Sequence, residues 1–269
     1  MIAAFLIGGL GNQLFIIFTT ISYSLKYNIP FIFPNISRSF DRPYYFDTFL
    51  SALKENTVNK TPDEIRFTHH TEKEHLIYEE IPFYRRTFCL HGYFQNVKYF
   101  ENDKDKILEK IGFHKQVEIV KEKYTHNFDC SLHFRIGDAK INTGFIILDI
   151  SYYIDALKSL DGIKSVLYFY EEEDQIEVEK KIRILWAEFP EITFTAIDTS
   201  IPDYSQMILM ALCKNNIIAN STFSWWGAYL NTNQDKQVCY PSKYFQTYNI
   251  QYEKNIKNIF LDSWIQIEI

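Results

Sequence analysis

Over residues 131–240 short apolar runs alternate with amphipathic ones, leaving room only for brief loops. Residues 131–134, 165–170, 192–197, 216–219 and 237–240 read as strands. Between the first two, Ile150, Ile154, Leu157 and Leu160 share one helical face behind Asp149, which is placed to cap it. Residues 176–189 read as a helix stopped by Pro190, and 203–214 and 222–230 as two more. Strands joined through helices by short loops pair in parallel, so this half is expected to be a doubly wound α/β sheet. Such sheets bind ligands beyond the carboxyl ends of their strands. That rule gathers residues 133–138, 171–174 and 220–224 on one rim.

The amino-terminal half is less regular. No charge appears before Lys26, and Gly8-Gly9-Leu10-Gly11-Asn12-Gln13 interrupts the apolar run. A signal peptide wants a positive start, which Met1-Ile2-Ala3-Ala4 lacks, and a membrane span needs about 20 unbroken apolar residues. The expected structure is a buried strand, a glycine loop and a buried helix over about 13–26. Residues 30–34 and 88–93 read as further strands, and 35–86 as a loop-rich stretch. A boundary near Phe128 gives two expected domains, 1–128 and 129–269.

Hydrophobic residues make up 46% of the 269 and charged ones 23%, which supports packed cores and excludes disorder. The net charge of −6 leaves no basic footprint, so nucleic acid is not an expected partner. Cys89, Cys130, Cys213 and Cys239 are scattered in apolar contexts without CxxC spacing. They are expected to be buried reduced thiols of a soluble, cytoplasmic protein, or of one peripheral to a membrane.

The densest chemical signal is Asn220-Ser221-Thr222-Phe223-Ser224-Trp225-Trp226-Gly227-Ala228. A strand opening onto a helix start capped by Ser221 or Thr222 aims unpaired N–H groups at an anion, with the tryptophans packing the helix down. An aromatic core helix explains the segment alone equally well. In His133-Phe134-Arg135-Ile136-Gly137-Asp138 a guanidinium at a strand edge can meet phosphate oxygens through its planar fork. Asp138 would cap the turn or hold Arg135; an ordinary surface ion pair is the alternative. Gly9-x-Gly11 lacks the third glycine of a dinucleotide loop, since Leu14 stands there, which disfavours an NAD-dependent oxidoreductase. Asn12 and Gln13 could still donate hydrogen bonds from that loop.

Two acidic runs bear on metal. Asp103-Lys104-Asp105 lies in an amphipathic stretch and reads as a solvated helix face. Glu171-Glu172-Glu173-Asp174 follows a strand and opens a helix, where acids suit the dipole; one of them could bind a ribose. No histidines have zinc spacing, and His69, His70 and His75 are expected to face water. No metal or other cofactor is expected.

Together these segments resemble the α-1,2-fucosyltransferase family, the GDP-fucose-dependent glycosyltransferase family 11. Gly8-Gly9-Leu10-Gly11-Asn12-Gln13-Leu14-Phe15 looks like its opening loop, and Gly92-Tyr93-Phe94-Gln95 with Lys98-Tyr99-Phe100 is similar to its middle motif. Residues 133–138 match its HxRRGD motif except at Ile136, and Asp203, Met207, Cys213 and 220–226 match its last block. Four motifs in order span nearly the whole chain. A Ser-Asp-Asp-like strand end of the family is here Tyr170-Glu171-Glu172.

The resemblance implies a GT-B architecture, two Rossmann-like domains facing a central cleft, with the acceptor in the first and the nucleotide in the second. It implies an inverting, metal-independent transfer of L-fucose from GDP-fucose to a hydroxyl of a glycan acceptor in α-1,2 linkage. Arg135 would be catalytic. Gly11, Asn12, Gln13, His133, Asp138, Glu171, Asp203, Asn220, Ser221, Thr222, Phe223 and Ser224 would bind the donor. His91, Tyr93 and Gln95 would lie on the acceptor side, and Asp41, Asp47 and His91 are candidates for a general base. Arginine should be acceptable at position 136. The alternatives are a transferase of another nucleotide sugar and a nucleotide- or glycan-binding protein with weak or lost turnover.

Overall fold

The computed structural model describes residues 1–35, 43–60, 67–125, 127–141, 144–246 and 250–269, with only the backbone of Asp138, Ile141, Ile250, Gln251 and Tyr252. Packing divides the chain into two units, Met1–Ile119 and Val120–Ile269.

The first unit runs β1 (Ile2–Ala4), α1 (Leu10–Tyr27), β2 (Phe31–Pro34), β3 (Thr57–Val58), β4 (Thr68–Thr71), β5 (Phe88–His91) and α2 (Lys104–Lys110). α3 (Phe113–Lys123) crosses the division between the units. The strands pair in parallel in the order β3-β2-β1-β5-β4. β1 is the central strand and wholly buried, and α1 is buried from Leu10 to Ser24 except at Asn12. A charge in either would have to be desolvated, which accounts for the uncharged opening. No described helix is long and apolar enough to cross a membrane.

β4 falls within the stretch expected to be loop. Its sequence Thr-His-His-Thr lacks apolar alternation because it is a polar edge strand, paired among the described residues with β5 alone. Of the three histidines expected in water, His69 alone is exposed. His70 is half-buried, with Nδ1 2.9 Å from the Tyr84 hydroxyl, and burial lowers its pKa. His75 is half-buried too, packed on Tyr93.

The second unit contains β6 (Cys130–His133), α4 (Gly137–Ile141), α5 (Ile150–Lys158), β7 (Ser165–Phe169), α6 (Gln175–Glu188) and β8 (Thr193–Ala196). It continues with α7 (Asp203–Leu212), β9 (Asn215–Ile217), α8 (Thr222–Leu230), β10 (Val238–Pro241), α9 (Ile250–Asn255) and β11 (Ile265–Ile267). All six strands are parallel, in the order β11-β10-β9-β6-β7-β8. The chain therefore winds outward from β6 to β8, returns to the other side of β6 and winds outward again. The direction reverses between β6 and β9, the place where doubly wound sheets open a binding crevice. Asp149 caps α5 as expected, its carboxylate accepting the Ser151 N–H at 3.0 Å. β11 and α9 were not anticipated; each is too short to show a period. All four cysteines are free and buried.

α8 explains its own composition. Trp225 and Trp226 are fully buried, and the Trp225 indole donates to the Ile259 carbonyl at 2.8 Å. The glycine after them lets α8 close on α7, because a Cβ at Gly227 would lie 2.7 Å from the Met210 Cβ. That carbon is fixed to the α7 backbone and cannot swing aside. Gly227→Ala is expected to cost about 1–3 kcal/mol through overpacking. A lower urea midpoint at unchanged m-value would show it; an unmoved midpoint would mean that the helices separate freely.

Candidate active site

Each sheet places its motifs at its own reversal of strand order. In the second unit the β6 ladder continues one residue beyond the strand, the Phe134 N–H donating to the Phe169 carbonyl at 2.9 Å. Phe134 is buried in the core, and strand alternation turns Arg135 away from it. Arg135 is half-buried and spans the gap from β6 to the end of β9: one Nη1–H donates to the main-chain carbonyl of Asn220. Its guanidinium carbon lies 4.0 Å from the centroid of the Phe145 ring.

Beyond Asn220 the chain turns into α8. Ser221 is the N-cap, its hydroxyl accepting the Phe223 N–H at 3.2 Å. Thr222 and Phe223 are half-exposed in the first turn, and the Phe223 and His133 rings lie 5.8 Å apart. The structure thus brings together His133, Arg135 and residues 220–223. Two of the expected donor ligands turn inward instead. Asn220 is fully buried, and its Nδ2 donates to the carbonyls of Ile146 and Tyr244 at 2.9 and 3.0 Å. The buried Ser224 hydroxyl accepts the Ala219 N–H at 3.2 Å. These side chains shape the turn from within. Tyr244 is also buried and donates to the Ala219 carbonyl at 3.2 Å; burial pushes its phenol pKa up, opposed by the charge of Arg135.

The acidic run serves a different helix from the one it precedes. Asp174 is buried, and its carboxylate accepts the Gly137 N–H at 2.6 Å and the Lys140 ammonium at 3.0 Å. It therefore caps α4, not α6. A Cβ on Gly137 would lie 2.7 Å from a Glu173 oxygen and 2.9 Å from a Glu171 oxygen. Glu171, expected among the donor-binding residues, has a carboxylate oxygen close to the start of α4. Asp203 opens α7 beyond the edge strand β8, exposed, with its carboxylate on the Tyr204 N–H at 2.7 Å. With β7 between them, β8 lies about 10 Å along the sheet from β6. The Asp138 side chain lies outside the described residues.

In the first unit the loops after β1 and β5 meet. The Gln95 amide donates to Asn12 Oδ1 at 2.8 Å. Gln13 is fully buried and donates to the carbonyls of Gly8 and Pro43, both at 3.0 Å. Gly11 is buried in the first turn of α1. Gly8 has φ +73°, and a Cβ there would lie 2.4 Å from the Asn12 amide, so side chains are refused twice over. The β5 loop is pinned by Glu72, whose carboxylate accepts the N–H groups of Tyr93 and Phe94 at 2.9 and 3.2 Å. Sequence reasoning missed Glu72; nothing marks one acid among many in a charged stretch. His91 is exposed at the end of β5, and Asp47 is paired with Lys54 at 2.6 Å. Asp41 lies outside the described residues.

Asp103 of the DxD accepts the Ser22 hydroxyl at 3.0 Å and pairs with Lys106 at 3.2 Å. Among the described residues no three His, Cys, Asp or Glu side chains are grouped to hold a metal ion.

A guanidinium braced at the reversal of a doubly wound parallel sheet, beside a helix start, defines an α/β protein equipped for an anionic ligand. The chain belongs to glycosyl transferase family 11, whose profile matches residues 43–268, and is a glycosyltransferase. The O-antigen biosynthesis glycosyltransferase WbnK of Escherichia coli is 27% identical, over 97% of this chain and 98% of that protein. An α-1,2-colitosyltransferase of Escherichia coli is 29% identical, over 66% of this chain and 61% of that one. The fucosyltransferase NodZ from Bradyrhizobium superposes on 84% of this chain and 92% of its own, with 11% identity and a TM-score of 0.46.

Proposed function

We propose that the protein transfers a 6-deoxy sugar, L-fucose, from its GDP conjugate to a glycan hydroxyl in α-1,2 linkage, with inversion. The observation that carries this reading is Arg135, tied to Asn220 at the β6–β9 reversal beside the start of α8, in a family 11 chain. The motif resemblance supports the donor, and the colitosyltransferase relative supports the linkage. The second unit would bind the nucleotide and the first the acceptor, in the manner of a GT-B enzyme.

The acceptor oxygen bonds to the anomeric carbon and passes its proton to a general base or to water, while the bond from that carbon to the phosphate oxygen breaks and its electron pair leaves with GDP. The departing GDP gains charge. Arg135 and the positive end of the α8 dipole are a fixed charge and a fixed dipole placed to meet it, and they need no reorganisation as the bond breaks. In this reading the protein's own groups offset the phosphate charge, so no metal is required. Asp103 belongs to the first unit and is committed to Ser22 and Lys106.

One experiment tests donor and metal together. In excess EDTA, GDP is expected to raise the melting temperature more than UDP does, since a ligand that binds only the native state stabilises it. Transfer from GDP-fucose is expected to persist in the same buffer. Equal stabilisation by UDP would overturn the guanine assignment, and loss of transfer restored by manganese would overturn the metal-free reading.

A further inference from the structure

Arg135 is held by a ring outside all four motifs. Residues 144–146 and 244–246 run antiparallel, with Phe145 bridged to Phe245. The Gln246 N–H donates to the Gly144 carbonyl at 3.0 Å, and the Ile146 N–H to the Tyr244 carbonyl at 3.2 Å. The Phe145 and Phe245 rings pack at 5.2 Å. The Glu253 carboxylate accepts the N–H groups of Tyr244 and Phe245 at 3.2 and 2.9 Å, and the Asn220 amide holds the carbonyls of Ile146 and Tyr244. The bridge is thus tied down from both sides. The face of the Phe145 ring carries the guanidinium at 4.0 Å, and the carbonyl of the same Asn220 takes its Nη1–H.

These two contacts do different work. The ring lies against one side of the guanidinium, and the carbonyl anchors one of its N–H groups. An arginine side chain left to its own rotamers samples many poses, and a charge-stabilising group acts only when it is already in place. We propose that Phe145 is a positioning residue for transfer: held by the 244–246 segment and by Asn220, its ring keeps Arg135 in the pose that meets the leaving diphosphate. The proposal rests on the role given to Arg135 above.

Phe145→Leu, Phe145→Tyr, Arg135→Lys, and Phe145→Leu combined with Arg135→Lys are to be compared by kcat, donor KM and GDP-induced stabilisation. Phe145→Leu is expected to lower kcat about tenfold, the fold-change such a cation–π contact is worth. Donor KM should change by about twofold or less, since only the transition-state charge is served. Phe145→Tyr keeps the ring face and should restore kcat. On the Arg135→Lys background, which has lost the planar fork whose pose the ring would set, Phe145→Leu should cost clearly less, about threefold or less. A full tenfold loss on both backgrounds would overturn the proposal, as would Phe145→Tyr as slow as Phe145→Leu, or Phe145→Leu at the wild-type rate. Should Phe145→Leu not fold, Phe145→Met removes the ring with similar volume and reads the same coupling. A wild-type protein that binds no GDP would instead sink the reading of the donor site; an inactive Arg135→Ala beside an unimpaired Phe145→Leu would sink the positioning role alone.

Discussion

Arg135→Ala is expected to abolish measurable transfer while the protein stays folded. Arg135 is the cation at the β6–β9 reversal, and the family's second arginine is replaced by Ile136, so that motif has no other guanidinium to share the charge. Removing one preorganised donor typically costs about 10²–10³ in rate. Arg135→Lys keeps the charge but loses the fork and the guanidinium that lies over Phe145, and should fall by about that factor. The stability cost of Arg135→Ala should be modest, about 1–2 kcal/mol, since the side chain is half-buried and its removal takes a donor from the Asn220 carbonyl. The measurement is single-turnover transfer alongside a thermal melt. A folded Arg135→Ala protein turning over near the wild-type rate would pass the role to the first turn of α8.

Ile136→Arg is expected to damage the fold. The motif resemblance alone predicted that arginine would be accepted here, because the family places one there. The structure reverses that expectation. Ile136 is 4% exposed and belongs to the core cluster of Phe134, Leu132, Tyr153 and Val178. Strand alternation that sends Arg135 out returns residue 136 to the interior. An arginine there would place an uncompensated charge among apolar side chains, at a cost of about 3–5 kcal/mol. Chemical denaturation should show that loss, and Ile136→Val should show little of it. Ile136→Arg melting with the wild type would mean that residue 136 reaches the nearby Glu171–Asp174 carboxylates, and the core placement would then carry no weight.

The fold of the second unit was legible because its elements are long enough to show their period. Thr222–Leu230 is the expected helix to the residue, β7 ends within one residue of expectation, and Asp149 is the cap it was read to be. The buried helix after the glycine loop was equally plain, since eighteen residues with a single charge can only face a core. Polar edges and short elements were not legible. β4 is Thr-His-His-Thr and β11 is three residues long; neither carries a pattern that separates strand from loop.

The site divides in the same way. The sequence by itself determined the chemistry: Arg135, a hydroxyl cap at Ser221 or Thr222 and the Gly8 loop are read from residue type and motif spacing, which fix charge, donor geometry and permitted φ. Tertiary structure alone decided which of these groups meet and which way each side chain turns. It sent the Asn220 amide inward to Ile146 and Tyr244, put Asp174 on α4 rather than on the helix it precedes, and set Phe145 under Arg135. Those partners lie 10 to 74 positions apart in the chain, and a contact across the longer of these distances follows from the order of strands in the sheet. Local propensity and periodicity act over a few residues and carry no information about that order.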